Sequence, residues 1–186
     1  MENGSWRTLR REYVYRSLWC SFRVDGVELP GGQAIEYGVL ESGGFAAVVA
    51  LTGGGDVVLV RQWRQPLGRF TLELPSGGVE VGEDAEEAAR RELLEESGYR
   101  AEGLERLTSV HTSTGRSTEE GHLFRCRAEK GGRGPSPEPT EFIRVEEVPF
   151  GEALGMVGDG RISDAATVVG LLWEAGRGVE GGAPVD

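Results

Sequence analysis

Between Gly77 and Tyr99 the chain reads GGVEVGEDAEEAARRELLEESGY, and no other stretch limits the fold as tightly. Gly77 and Gly78 permit a tight backbone, Gly82-Glu83-Asp84 stands where a helix would start, and Ala85 to Ser97 contains no Gly, Pro or β-branched residue. Gly98 then supplies a stop. The spacing therefore predicts a short loop running into one helix over 85–97. Residues four apart share a helix face, so Glu92 and Glu96 stack one turn apart and Glu95 lies on the flank of that face. Unpaired, such carboxylates destabilise a helix by about 0.2–0.5 kcal/mol per like-charged pair, and a bound cation reverses the sign. An all-oxygen donor set favours Mg²⁺ or Mn²⁺ over zinc. The competing reading is a solvated, charge-rich surface helix, the usual meaning of Glu- and Arg-rich helical sequence.

The full register decides between these readings. Gly77, Glu83, Arg91-Glu92-Leu93, Glu95-Glu96 and Gly98 fall at fixed intervals. The pattern resembles the Nudix box, G-x5-E-x7-R-E-U-x-E-E-x-G-U, where U is a bulky aliphatic residue. It departs only at the last position, where Tyr99 replaces Ile, Leu or Val in what the resemblance implies is a core-facing slot. Carried over residue by residue, the resemblance implies that Glu92 and Glu96 are the main metal ligands. Glu95 would be a further ligand or a water-orienting group, the Ser76 carbonyl would complete the shell, and Gly77, Glu83, Arg91 and Gly98 would be architectural. Arg91 is expected to pair with Glu83 across the loop.

At 186 residues the chain has room for one ordinary domain and a small additional element. Its net charge of −11 argues against binding DNA or long RNA, whose affinity rests on phosphate neutralisation, yet suits a small, metal-escorted nucleotide. Lys130 is the single lysine among twenty basic residues, so phosphate contacts would fall to guanidinium groups, which can bind two oxygens at once. Cys20 and Cys126 form neither a metal spacing nor a disulfide framework and are expected to be reduced. No apolar run approaches a membrane span and the N-terminus carries no leader-like segment, so a cytoplasmic protein without membrane contact is expected.

Alternating apolar and polar residues from Glu12 to Leu40, split by DGVELPGG, predict an antiparallel meander ahead of the main domain. Strands are expected at Phe45–Leu51, Val57–Trp63, Phe70–Leu74, Glu105–Val110, Gly121–Ala128 and Glu141–Glu146. Helices are expected at Pro149–Val157 and Asp164–Ala175, the latter with Val168, Leu171 and Leu172 inward. GGRGPSPEP reads as a flexible excursion and the chain from Arg177 as a frayed tail. These elements fit a Nudix α/β/α sandwich with a mixed sheet over residues 45–176, preceded by an N-terminal β element over 1–44 and followed by a tail over 177–186.

LVRQWRQP, LELPSGGVE and STGRSTEEGHLF are further similar to the ADP-ribose pyrophosphatase and nucleoside-diphosphate-sugar hydrolase branch of that superfamily. The resemblance implies a β element that commonly takes part in homodimerisation, an Arg at position 64 that contacts substrate, and Arg61 as a weaker candidate. It also implies a loop glutamate that takes a proton or positions water: Glu119 by counting from Ser113 and Gly115, with Glu120 adjacent. A base on a mobile loop could close after substrate enters. Thr114 stands where the branch typically has Pro, which weakens ADP-ribose as the particular substrate. Dinucleoside polyphosphates, modified nucleoside triphosphates and coenzyme pyrophosphates stay open as substrates, as does a non-hydrolysing nucleotide sensor. His111 and His122 match no functional position, and Trp6, Trp19, Trp63, Trp173 or Phe22 could stack on a base or simply pack.

Overall fold

The computed structural model describes residues 4–18, 20–132, 134–136 and 142–177. The chain divides into two compact units, one running to Gly44 and joined by His111–Glu120, the other formed by Phe45–Val110 and the chain from Gly121. In the first unit β1 (Arg7–Arg16), β2 (Cys20–Glu28) and β3 (Ala34–Ser42) form a three-stranded antiparallel sheet in the order β1-β2-β3. Arg23 is buried in this sheet between Asp25, at 3.0 Å, and Glu41. Every residue of β1 is exposed.

The second unit is a mixed sheet with helices on both faces. Its strands are β4 (Phe45–Leu51), β5 (Asp56–Arg64), β6 (Arg69–Glu73), β7 (Ser76–Gly78), β8 (Tyr99–His111), β9 (Glu120–Lys130) and β10 (Arg144–Pro149). The main order is β10-β5-β4-β9-β8, with β4 and β9 parallel. β4 and β5 pair only at Leu51 and Val57 before they part; β6 then pairs β5 and β7 pairs β4. That wedge is where the sequence box begins.

Strand alternation divides the core cleanly. Ala47 and Val49 of β4 with Val57 and Leu59 of β5 pack towards α2 (Phe150–Gly158) and α3 (Ala165–Arg177), meeting Ala153, Ala166 and Leu171. Ala46, Val48, Ala50 and Val58 face the other way and meet Ala88, Ala89 and Leu93 of α1 (Ala85–Ser97). Leu93 is fully buried, worth about 1.5–3 kcal/mol in transfer free energy, and so pins the helix that carries the carboxylates.

Several element boundaries differ from expectation. β8 starts at Tyr99, well before Glu105, because Gly103 at φ 62° breaks the alternation that reveals a strand. β7 lies in what reads as loop, since its two glycines mask any pattern. β10 starts at Arg144 instead of Glu141, which is outside the described residues. In α3 Leu171 is buried but Leu172 is 53% exposed; the inward stripe runs instead through Ala166, Thr167, Gly170 and Leu171. Thr167 turns inward because its hydroxyl accepts the Leu74 N–H at 3.0 Å and donates to Asp164 at 2.8 Å. Parts of GGRGPSPEP, residues 133 and 137–139, and the tail from 178 lie outside the described residues.

Candidate active site

The helix bearing the carboxylates starts at a reciprocal cap. The Asp84 side chain accepts the Glu87 N–H at 2.8 Å, and the Glu87 carboxylate accepts the Asp84 N–H at 3.3 Å. It ends where Gly98 enters left-handed backbone at φ 74° and donates to the Leu94 carbonyl at 2.9 Å. Between these stops Arg91 is the hub. Its Nε and Nη2 donate to the two Glu83 oxygens, each at 2.9 Å, and Nη2 also reaches the Gly78 carbonyl at 2.9 Å. Its Nη1 donates to Glu92 at 2.6 Å and Glu95 at 3.2 Å.

The expected Arg91–Glu83 pair is therefore present as a two-point contact, and it holds the Glu83 carboxyl below its ordinary value. Burial acts the other way on Glu83, and the Glu80 N–H adds a further lowering contribution. The Arg91 guanidinium is raised further above its ordinary range, first by its hydrogen bonds with Glu83.

Gly77 has a steric reason. A Cβ built there would lie 2.2 Å from the Glu92 Cδ and Oε1, so the carboxylate packs directly on strand backbone that only glycine leaves open. The neighbouring Ser76 N–H donates to Glu96 at 2.7 Å, and Glu96 is 2% exposed. Among the described residues no group of three or more His, Cys, Asp or Glu is gathered closely enough to hold a metal. The three carboxylates are engaged by different partners. Arg91 draws Glu92 and Glu95 to its Nη1, while the β7 backbone engages Glu96. The donor set nevertheless fits a hard divalent cation: carboxylate oxygens beside strand backbone, with no sulfur or imidazole among them.

Strand register sorts the flanking arginines. Val58 faces α1, so Val60, Gln62 and Arg64 do too, while Arg61 shares the opposite face with Val57 and Leu59. Arg61 pairs with Glu146 of β10 on that far face, at 2.6 and 3.2 Å, and so does not join Arg64 on the box face. Arg64 donates from Nε to Glu73 at 2.9 Å and from Nη2 to the second Glu73 oxygen. That contact is the first cause raising its guanidinium above the ordinary range, and the charges of Glu96 and Asp164 add to it. Glu73 is 4% exposed and also accepts the Thr71 hydroxyl at 2.6 Å. Sequence reasoning missed this clamp; the signal was a glutamate inside the apolar strand run TLEL.

Tyr99 occupies the core slot expected of it, 6% exposed, and its hydroxyl donates to Glu147 at 2.5 Å. Burial foremost and then Glu147 push that phenol up to about 12. The buried Cys126 thiol is likewise raised to about 12 by desolvation, which keeps it an unreactive thiol.

Glu119 lies within the His111–Glu120 loop, where it accepts the Thr112 hydroxyl at 2.7 Å and the Ser42 hydroxyl at 3.3 Å. Glu120 is the first residue of β9. Where sequence suggests a mobile loop, the structure fastens it to β3. Leu40 exchanges backbone bonds with Arg116 and Thr118, at 2.8 and 3.1 Å, and the Tyr37 hydroxyl donates to the Gly115 carbonyl. His122 contacts Arg106 and Ser109, and His111 contacts the Glu119 backbone. Trp63 packs edge-on against Phe70 on the face away from α1, Trp6 packs against Tyr37, and Trp19 is outside the described residues.

With this geometry in view, comparison with known proteins defines the class. The NUDIX domain model matches residues 43–167, and the chain belongs to the Nudix hydrolase family. A second model, the nucleoside diphosphate sugar hydrolase N-terminal domain, matches residues 6–40. The ADP-ribose pyrophosphatase of Bacillus subtilis (strain 168) is 34% identical over 172 residues, spanning 90% of this chain and 91% of its own. The methanol dehydrogenase activator of Bacillus methanolicus is 35% identical over 168 residues, with the same shares of 90% and 91%. The crystal structure of an ADP compounds hydrolase superposes with a TM-score of 0.81 over 97% of each chain, and at 19% identity it bears on the fold alone. The protein is thus a Nudix pyrophosphatase-family enzyme with a mixed α/β fold and an N-terminal three-stranded antiparallel sheet. No helix among the described residues is long and apolar enough to cross a membrane.

Proposed function

We propose that the chain hydrolyses the diphosphate of ADP-ribose or a related nucleoside diphosphate sugar, giving a nucleoside monophosphate and a sugar phosphate in a Mg²⁺- or Mn²⁺-dependent reaction. The observation that carries this reading is the meeting of opposite charges on one sheet face. Arg64 is clamped by buried Glu73 and feels the charge of Glu96, so an anion-binding guanidinium stands beside cation-binding carboxylates. A diphosphate with its metal needs both. The N-terminal domain match and the ADP-ribose pyrophosphatase relatives support the nucleotide-sugar class.

Glu92, Glu96 and Glu95, with the Ser76 carbonyl, would hold the cation. When bound, it supplies charge neutralisation of the diphosphate and a lowered pKa for an attacking water. The chain's own residues do the rest. Arg91 sets the carboxylate positions from one side, and the Ser76 N–H fixes Glu96 from the other. Arg64 binds a phosphate oxygen through the guanidinium nitrogen that Glu73 leaves open. Glu119 takes the proton of the attacking water or orients it, with Glu120 the adjacent alternative. Orientation and charge stabilisation supply most of the acceleration, as in phosphoryl transfer generally.

Incubating the protein with Mg²⁺ and a panel of ADP-ribose, other nucleotide sugars, dinucleoside polyphosphates and nucleoside triphosphates tests the reading. AMP and ribose 5-phosphate from ADP-ribose are the expected products. Preferential cleavage of another group changes the substrate, and binding without any product identifies a sensor. The exposed β1, with Leu9, Tyr13, Val14 and Tyr15 on its surface, supports homodimerisation through the N-terminal sheet. Light scattering should then return twice the monomer mass.

A further inference from the structure

Gln62 is 6% exposed, yet its side-chain Nε2 has no hydrogen-bond partner among the described residues. Two other buried polar atoms lacking a hydrogen bond, Arg125 Nε and Glu174 Oε2, face each other at 2.9 Å as an ion pair. Gln62 has no such compensation. A buried amide nitrogen left without an acceptor destabilises the folded state, and an apolar side chain of the same size would remove that penalty. A buried donor of this kind in a native fold calls for a functional or structural reason, and a ligand that brings the acceptor is one.

Position identifies the ligand chemistry. Continuous β5–β6 register sets Gln62 opposite Thr71 and Arg64 opposite Arg69, with Gln62 and Arg64 both on the face towards α1. The nearby protein acceptor is already engaged. Glu73 receives the Thr71 hydroxyl and Arg64 Nε on one oxygen and Arg64 Nη2 on the other. Two sets of donors lie on this face, the Gln62 amide and Arg64 Nη1, the second on a guanidinium that Glu73 holds in place. That combination suits an anionic oxygen ligand.

We propose that Gln62 is a further diphosphate-binding residue, its carboxamide N–H donating to a phosphate oxygen of the substrate beside Arg64. The inference deepens the reading of the site as a diphosphate hydrolase and rests on it. Glu73 and Thr71 then act as positioning residues that hold Arg64 so that both donors serve one group.

The decisive variant is Gln62→Met, which keeps the volume and removes the donor. Its melting temperature should equal or exceed that of the wild type, while KM for ADP-ribose rises ~10-fold, as expected for one lost hydrogen bond to a charged group. Calorimetric titration with inorganic pyrophosphate in EDTA should show the same loss, a readout that needs neither metal nor turnover. Gln62→Glu keeps the shape but sets a carboxylate against the phosphate, and should bind pyrophosphate more weakly still. It carries the test if the Met variant yields no folded protein. A lower melting temperature with unchanged KM and pyrophosphate affinity would overturn the proposal, because the amide would then be structural. If pyrophosphate binding falls in the variants while the wild type hydrolyses no nucleotide sugar, the assignment of Gln62 stands and the substrate reading fails.

Discussion

Gly77→Ala isolates the packing of the box from its charges. The added Cβ would sit 2.2 Å from the Glu92 Cδ and Oε1 and 2.5 Å from Oε2. An ordinary carbon–oxygen contact is above about 3 Å, so the carboxylate must retreat by about 1 Å or more. Glu92 is the far end of a flexible side chain, so the retreat is possible, but it strains or breaks the 2.6 Å bond from Arg91. With the two side chains 26% and 14% exposed, losing that charge-assisted bond costs about 1–2 kcal/mol after screening. That corresponds to a fall in Tm of about 2–8 °C for a chain of this size. A carboxylate misplaced by about 1 Å costs far more in turnover, about 100-fold in kcat.

Gly78→Ala is the matched control. Among the described residues no heavy atom beyond its chain neighbours lies within 4 Å of its added Cβ, so Tm and kcat should stay near wild type. Differential scanning calorimetry and initial-rate kinetics on the two variants give the comparison. Wild-type kcat in Gly77→Ala would refute the claim that the bare backbone at this position seats a working carboxylate.

Glu83 lies below its ordinary value of 4.5 chiefly through its hydrogen bonds from Arg91, so the unfolded chain binds this proton more readily than the folded one. Its stabilising contribution is present above about pH 4.5 and is lost as pH falls through the lower folded value, so Glu83→Gln should flatten the acid limb of a Tm–pH profile. Tyr99→Phe keeps the buried ring and removes the hydroxyl that donates to Glu147, which should lower stability by about 0.5–1.5 kcal/mol in urea titration without altering KM. Glu73→Gln should weaken the hold on Arg64 and raise KM for the nucleotide sugar about 10-fold, with far less effect on kcat. EDTA should abolish turnover while Tm stays nearly constant, because α1 is pinned by Leu93 and its reciprocal cap without a cation.

What sequence revealed and what it hid follow from the range of each interaction. The helix 85–97 and its stop at Gly98 were legible because caps and helix periodicity are local, whereas the Arg91–Glu83 pair spans eight residues across the loop and spacing alone does not show it. The strand Phe45–Leu51 was equally plain from its continuous apolar run. The Arg64–Glu73 clamp was not, because it depends on how β6 pairs with β5 after β4 has parted from it. Strand alternation already sets Arg61 and Arg64, three residues apart, on opposite faces, but only the pairing of β5 with its neighbours shows which of the two faces α1. The fastening of the Glu119 loop to β3 joins residues far apart in the chain, and no local pattern announces it. The inward turn of Thr167 likewise reflects an unpaired Leu74 N–H that only the assembled sheet presents.

Hydrolysis of a nucleotide-sugar diphosphate is proposed to rest on the α1 carboxylates. Glu96→Gln tests it most directly, since the amide oxygen can still accept the Ser76 N–H and preserve the fold. The measurement is kcat for Mg²⁺-dependent ADP-ribose cleavage, with Tm recorded alongside. AMP and ribose 5-phosphate are expected from the wild type, with a loss of about 100-fold or more in the variant at nearly unchanged Tm. Near-wild-type turnover by Glu96→Gln in excess Mg²⁺ would contradict it.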